Sequence, residues 1–164
     1  MTVALVSVAE IAERVVREYL GVGPGERFAI VVDDRTDVEI PHQLARVARE
    51  LGADPVVVTI APRTRSGTEP PAPAAAAMAA ADVVLCAAST SLYHTAAKAA
   101  AQHAGARGVF NAPSGADAWR NGAMTADFVA IRARAERLAE LWRRTREVHI
   151  TSPAGTDLRA TVEG

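Results

Sequence analysis

Phe28-Ala29-Ile30-Val31-Val32-Asp33-Asp34 is an unbroken apolar, β-rich run that ends in two carboxylates. A strand with one wet face alternates apolar and polar residues, whereas this run has no polar position before Asp33, so it reads as a strand buried on both faces of a parallel sheet. Upstream, Gly23-Pro24-Gly25 supplies a turn. Before it, Ser7 and Glu10 form an S-x-x-E capping box for a helix whose apolar face is Ile11, Val15 and Tyr19, closed by Gly21. Downstream, Ile40, Leu44, Val47 and Leu51 recur at helical spacing, Gly52 stops them, and Pro55 to Ile60 is a second buried strand, which completes a β-α-β unit.

The alternation continues. Pro62 to Pro73 is a loop rich in proline, followed by a short Ala-rich helix to about Ala81 and a third strand from Val83 to Ala88. Ser91 is placed to cap a helix through Leu92, Ala96 and Ala99 to about Ala104, and Gly108 to Asn111 gives a fourth strand. Strands alternating with helices call for an α/β fold, a three-layer domain with a mostly parallel sheet and right-handed crossovers. From Thr125, the residues Phe128, Ile131, Ala135, Leu138, Trp142 and Thr145 lie three and four apart, with Arg132/Glu136 and Glu140/Arg144 as opposite-charge pairs. Two strands around Pro153-Ala154-Gly155 then break the pattern. The expected division is an α/β domain over residues 1–147 and a β-hairpin over 148–164 that begins an incomplete second domain. An unpaired hairpin edge is expected to give self-association or local disorder after about Val148.

Length and composition, at 164 residues and 49% hydrophobic, suit one domain of ordinary size plus a remnant. Eighteen basic against nineteen acidic residues, with no basic face or aromatic-rich strand, argue against nucleic acid as a partner. The single Cys86 lies in an apolar run, so no internal disulfide forms and the thiol is expected to be a buried hydrophobe. The opening segment lacks the features of a signal peptide, and no run approaches the roughly 18 apolar residues of a membrane span, so no membrane partner and a cytoplasmic location are expected.

In open parallel sheets ligands bind beyond the carboxyl ends of the strands. Those ends are Asp33 to Asp37, the Arg63 to Glu69 loop, Ser89 to Ser91 with Tyr93 and His94, and Asn111 to Ser114, a polar rim in which hydroxyls before a helix N-terminus suit a small carboxylate or phosphate, with Asp34, Arg35, Ser89, Ser91 and His94 as the candidate ligands. The plainer alternative is that Ser89 to Ser91 cap their helix and Asp33 to Asp37 make a turn. Asp33, Asp34 and Asp37 form the one acidic cluster of a kind that suits a hard cation, and Asp37 with Glu39 also suits the start of the second helix. His94 and His103, nine residues apart on one expected helix, face opposite ways and cannot share an ion. Gly21, Gly23 and Gly25 precede the first strand, where a dinucleotide fingerprint must follow one.

Four segments carry a family resemblance: GVGPGERFAIVVDD from Gly21, RELGADPVVVTI from Arg49, ADVVLCAAST from Ala81, and REVHITSPAGTDLRATVEG from Arg146. Together they make the chain similar to the amino-terminal half of the aminopeptidase T, or leucyl aminopeptidase, metallopeptidases and of their relative 2,5-dihydroxypyridine 5,6-dioxygenase. The resemblance implies an α/β amino-terminal part and a carboxyl-terminal part that holds the Glu, His and Asp metal ligands, with zinc, cobalt, manganese or iron as the divalent metal and a small peptide or small aromatic substrate. It transfers no catalytic residue and no metal ligand, and hence no cofactor, to the 164 residues here. The resulting expectation is the scaffold domain of an aminopeptidase-like enzyme, cut short by gene fragmentation or completed by a separate carboxyl-terminal chain. The alternatives are the same domain of an iron ring-cleaving dioxygenase, or a stand-alone module that binds a small anion.

Overall fold

The computed structural model describes residues 6–162; the first five residues and the last two, which the sequence reading counted in the opening segment and the final hairpin, lie outside them. The chain divides into two compact units, one up to Ala126 and one from Asp127. The first contains a four-stranded parallel sheet in the order β2-β1-β3-β4, built from β1 (Arg27–Asp33), β2 (Asp54–Ile60), β3 (Val83–Cys86) and β4 (Arg107–Val109). β1 pairs with β2 from Arg27↔Asp54 to Asp33↔Ile60, and with β3 from Phe28↔Val83 to Val31↔Cys86. β3 pairs with β4 from Val83↔Arg107 to Leu85↔Val109.

The apolar run from Phe28 lies in β1, an inner strand in which every residue after Arg27 is buried. Phe28, Ile30 and Val32 enter one core with α1 (Val8–Arg14), α2 (Glu39–Glu50) and α5 (Ala116–Asn121), through Ile11, Leu44 and Trp119 among others. Ala29 and Val31 enter a second core with α3 (Ala72–Ala80) and α4 (Ala96–His103), through Ala74, Met78 and Ala101. Side chains that alternate across a strand therefore fill both cores at once, each large apolar group contributing about 1.5–3 kcal/mol. The expected three-layer α/β architecture is what the first unit adopts.

Local chemistry accounts for the element ends. The Ser7 amide donates to Glu10 Oε2 at 2.8 Å and the Glu10 amide donates to Ser7 Oγ at 3.2 Å, closing the capping box of α1. The helix continues as a wider π turn over Val15–Tyr19, with the Leu20 amide on the Val15 carbonyl at 2.9 Å. Pro41 sits in the first turn of α2, where a missing N–H leaves no helical bond unmade. Gly108 is required by contact: a Cβ there would stand 2.0 Å from the Val84 carbonyl oxygen across the β3–β4 pairing. At the opposite end of the strands, Arg107 bonds both Glu26 oxygens at 2.7 Å and the carbonyls of Leu20 and Gly21 at 2.7 and 2.8 Å.

Three expectations are corrected. β2 is an edge strand with Val56 48% and Val57 39% exposed, not a strand buried on both faces, because an apolar run separates strand from loop without locating the strand in its sheet. α4 starts at Ala96 and is capped by Thr95, whose Oγ1 accepts from the Lys98 amide at 3.2 Å, rather than by Ser91. His94 thus precedes the helix and only His103 lies on it. The structure also adds α5 and a 3-10 turn over Ala123–Thr125, both too short to show a helical period.

The second unit consists of α6 (Phe128–Arg143) and an antiparallel pair, β5 (Glu147–Thr151) and β6 (Asp157–Thr161), registered from Glu147↔Thr161 to Thr151↔Asp157. Asp127 caps α6 by accepting from the Ala130 amide at 3.0 Å, so the helix begins three residues after Thr125. Arg132 and Glu136 meet at 3.1 Å as expected. Gly155, at φ 95°, supplies the left-handed position that closes the hairpin. No residue of α6 is buried.

Candidate functional site

The carboxyl ends of the strands are joined into one network around Asp33. This residue is only 2% exposed. Its Oδ2 accepts from the Ser89 amide at 2.9 Å and from Ser89 Oγ at 2.6 Å, while Oδ1 accepts from the Arg35 amide at 3.0 Å. The Asp33 amide donates to Thr36 Oγ1 at 3.0 Å, and the Thr36 hydroxyl shares its one proton between the Ala87 carbonyl at 2.9 Å and Asp33 Oδ1 at 3.3 Å. Burial pushes the Asp33 carboxyl up, but the hydrogen bonds from Ser89, the Arg35 amide and Thr36 outweigh it and hold the group below its ordinary value. The loop after β4 is tied in by the Asp37 amide, which donates to the Ser114 carbonyl at 2.9 Å. Trp119 Nε1 donates to the Pro113 carbonyl at 2.8 Å beside it.

A second knot lies at the start of α4. The Gly67 amide donates to the Ser91 carbonyl at 2.9 Å, and the Ser91 amide to Ser66 Oγ at 3.3 Å. Glu69 places its carboxylate on the first turn of α4, accepting from the Ala96 amide at 2.5 Å and the Ala97 amide at 3.2 Å. Negative charge is favoured there by the unpaired N–H groups and the helix dipole. The anion expected at this helix start is therefore the chain's own, and a stand-alone anion module loses its simplest binding site.

The five rim residues fall into distinct settings. Ser89 is joined to Asp33, and Ser91 to the Ser66–Gly67 turn, with Ser91 Oγ also accepting from the Tyr93 amide at 3.2 Å. Asp34 and Arg35 are exposed on the turn after β1, and no hydrogen bond or ion pair engages either side chain among the described residues. His94 is exposed and meets the Tyr93 ring edge-on at 5.0 Å between centroids. The Lys98 ammonium stands 4.7 Å from the centre of the Tyr93 ring, close enough for a cation–π contact.

The sequence places Asp33 and Thr36 in the turn after the first strand and Glu69 in the rim loop, but does not pair Asp33 with Ser89, Thr36 with the Ala87 carbonyl or Glu69 with the start of α4. The signal for Asp33 was its place as the first polar residue of an apolar run; Glu69 lies 27 residues before its partner and gives no spacing signal. The three carboxylates do not converge. Asp33 is buried in its own hydrogen bonds, Asp34 is exposed, and Asp37 Oδ1 accepts from the Glu39 amide at 3.2 Å at the start of α2. Among the described residues no three His, Cys, Asp or Glu side chains are grouped to hold a metal ion, so the residues present do not fit a metal centre.

The family model described as NicX, 2,5-dihydroxypyridine 5,6-dioxygenase, matches residues 12–164. The chain belongs to this dioxygenase family. The match overturns the expectation of an aminopeptidase, a metallopeptidase and hence a hydrolase with a small peptide substrate. The segments that suggested it are strands, helix ends and a hairpin, and none carries a group that would separate peptide hydrolysis from dioxygenase chemistry.

The structure of 2,5-dihydroxypyridine dioxygenase from Pseudomonas putida KT2440 superposes with a TM-score of 0.72 at 19% sequence identity, over 95% of this chain and 47% of that one. At this identity the likeness is one of fold, and the chain spans about half the length of that dioxygenase. No curated protein matches the chain. Among the described residues of this dioxygenase-family chain, no helix is long and apolar enough to cross a membrane.

Proposed function

We propose that the chain is the scaffold half of a ring-cleaving dioxygenase of the 2,5-dihydroxypyridine type, acting on a small hydroxylated aromatic ring. The family match over residues 12–164 carries this reading. The hairpin from Val148 onward opens the β-containing domain that holds the metal, which in this chemistry is iron, the source of the dioxygen activation when bound. No step runs through iron on this chain's own residues, since they do not fit a metal centre.

The contribution of this half is a fixed edge for the substrate. Asp33 and Ser89 lock the loops after β1 and β3 together, leaving Asp34, Arg35 and His94 exposed along the rim and Ser91 held beside the Ser66–Gly67 turn. An Arg guanidinium suits the phenolate or carboxylate oxygens of such a ring and its product. The test is to supply the purified chain with ferrous iron and 2,5-dihydroxypyridine and to follow ring absorbance and oxygen consumption. No turnover is expected, together with NMR shifts at Arg35, Ser91 and His94 on titration with the ring. Metal-dependent turnover by the chain alone would end the scaffold reading, and a titration silent at those residues would remove them from the substrate's path.

A further inference from the structure

The two edges of the parallel sheet are finished differently. β4 has three residues and begins with Arg107, a short edge that carries a charge. β2 has seven, and no charged side chain lies between Asp54 and Arg63. Val56, Val57 and Thr59 are exposed on it, and among the described residues its outer edge pairs with no strand. The register puts Val56 and Val58 on the face of Ala29 and Val31, and Val57 and Thr59 on the face of Ile30 and Val32, so apolar groups reach the edge from both faces. Proteins blunt such edges with charges, bulges or short strands, and here only Pro55 serves.

The groups that the edge offers follow from its pairing. The Asp54 amide donates to the Glu26 carbonyl at 2.8 Å, on the β1 side. Successive strand residues turn N–H and C=O to opposite edges, so Pro55, Val57 and Thr59 turn theirs outward. Proline is tolerated there, because the missing N–H faces away from the sheet. We propose that this edge docks a second copy of the chain, antiparallel and about a two-fold axis at Val58, to form one continuous sheet. In that register Val57 of each chain faces Thr59 of the other, and both outward N–H groups meet the outward carbonyls. Pro55 falls outside these doubly bonded pairs and ends them. The axis also brings Asp54 of each chain towards Arg63 of the other, opposite charges that form no ion pair among the described residues of one chain. The short, charged β4 gives a head-to-tail sheet little to build on, so the contact closes as a dimer.

The test is sedimentation of the full chain over a range of concentrations, with hydrogen exchange. A dimer is expected, in which the Val57 and Thr59 amides exchange at least tenfold more slowly than in the monomer obtained on dilution. Val57→Pro removes an N–H that β1 does not use, and Val56→Lys puts a charge on an exposed edge position. Each should leave the chain monomeric with exchange in β1 and β3 unchanged. A cross-link reads the register. Facing Val58 residues in a pair without mutual hydrogen bonds lie about 4.5 Å apart at Cα, within disulfide range. Val58→Cys should therefore oxidise to a covalent dimer and Val56→Cys should not, while Cys86 is buried and takes no part. A chain that is monomeric at every concentration, with these amides open or already protected, overturns the inference. So does a dimer that survives both substitutions, or one that cross-links no faster through Val58→Cys than through Val56→Cys.

Discussion

Replacing Asp33 by Asn isolates the network that holds the strand ends together. The carboxylate is buried and accepts three close hydrogen bonds, from the Ser89 amide, Ser89 Oγ and the Arg35 amide. Asn keeps the shape but offers one acceptor oxygen, so its NH₂ must face either the Ser89 or the Arg35 N–H, donor against donor. One buried N–H left unpaired costs roughly 1–3 kcal/mol, and loss of charge from the surviving bonds adds to it, giving about 2–4 kcal/mol in all. That is a large share of the roughly 5–15 kcal/mol that holds a domain folded. Urea unfolding followed by the buried Trp119, in a Trp142→Phe background, would read it as a lower midpoint at unchanged slope.

The acid limb gives a second reading of the same network. The folded carboxyl lies below the ordinary 3.8, so its stabilisation is fully present above that value and is lost as pH falls through the lower folded one. The variant has no such group to protonate, and the gap between the two proteins should narrow on acidification from pH 7 towards 3. A midpoint difference equivalent to less than about 0.5 kcal/mol at pH 7, or a gap that stays constant into acid, would refute the account.

Gly108→Ala drives a methyl group into the Val84 carbonyl, and should lower the thermal midpoint by about 4 °C or more, as overpacking of roughly 1–3 kcal/mol would; a midpoint within error of the parent would show slack in β4. Removing the carboxylate with Glu69→Ala uncovers the first turn of α4, with a cost of about 0.5–2 kcal/mol visible as faster exchange at Ala96 to Lys98, and unchanged exchange there would mean the contact is ornamental. Cys86 is buried, and burial pushes its thiol up to about 12, so iodoacetamide at pH 8 should label it only after unfolding. Labelling of the native chain on the timescale of a free thiol would contradict that burial.

The parallel sheet was legible because β1 and β3 are apolar at every inner position and each is followed by a helix signal. The capping box at Ser7 and the turn at Pro153 to Gly155 were equally plain, since each is local chemistry within a few residues. What escaped was set by distance or by surroundings. The edge position of β2 depends on which strands pair, and no pattern within Asp54 to Ile60 encodes that. Ser91 looked like a cap because it precedes an apolar period, but Leu92 is drawn into the core by packing and Thr95 inherits the role. The rim segments lie at the strand ends, but the partner of Ser89 and the carboxylate on α4 come from 56 and 27 residues away. The resemblance implied the α/β fold but put the aminopeptidase first, and the family match overturns that choice in favour of the dioxygenase alternative, because scaffold segments carry nothing that separates the two.

The bonds that join the rim have a mechanical meaning. Asp33 with Ser89, Thr36 with Ala87 and the Asp37 amide with Ser114 tie the turns after three strands to one another, so these turns move as a single body. A surface of this kind presents its groups without reorganisation to whatever ligand reaches it, which favours orientation. The same stiffness denies it the hinge that a lid needs to fold over a ligand and expel water. Shelter for any chemistry at this edge must be supplied by protein lying beyond these turns.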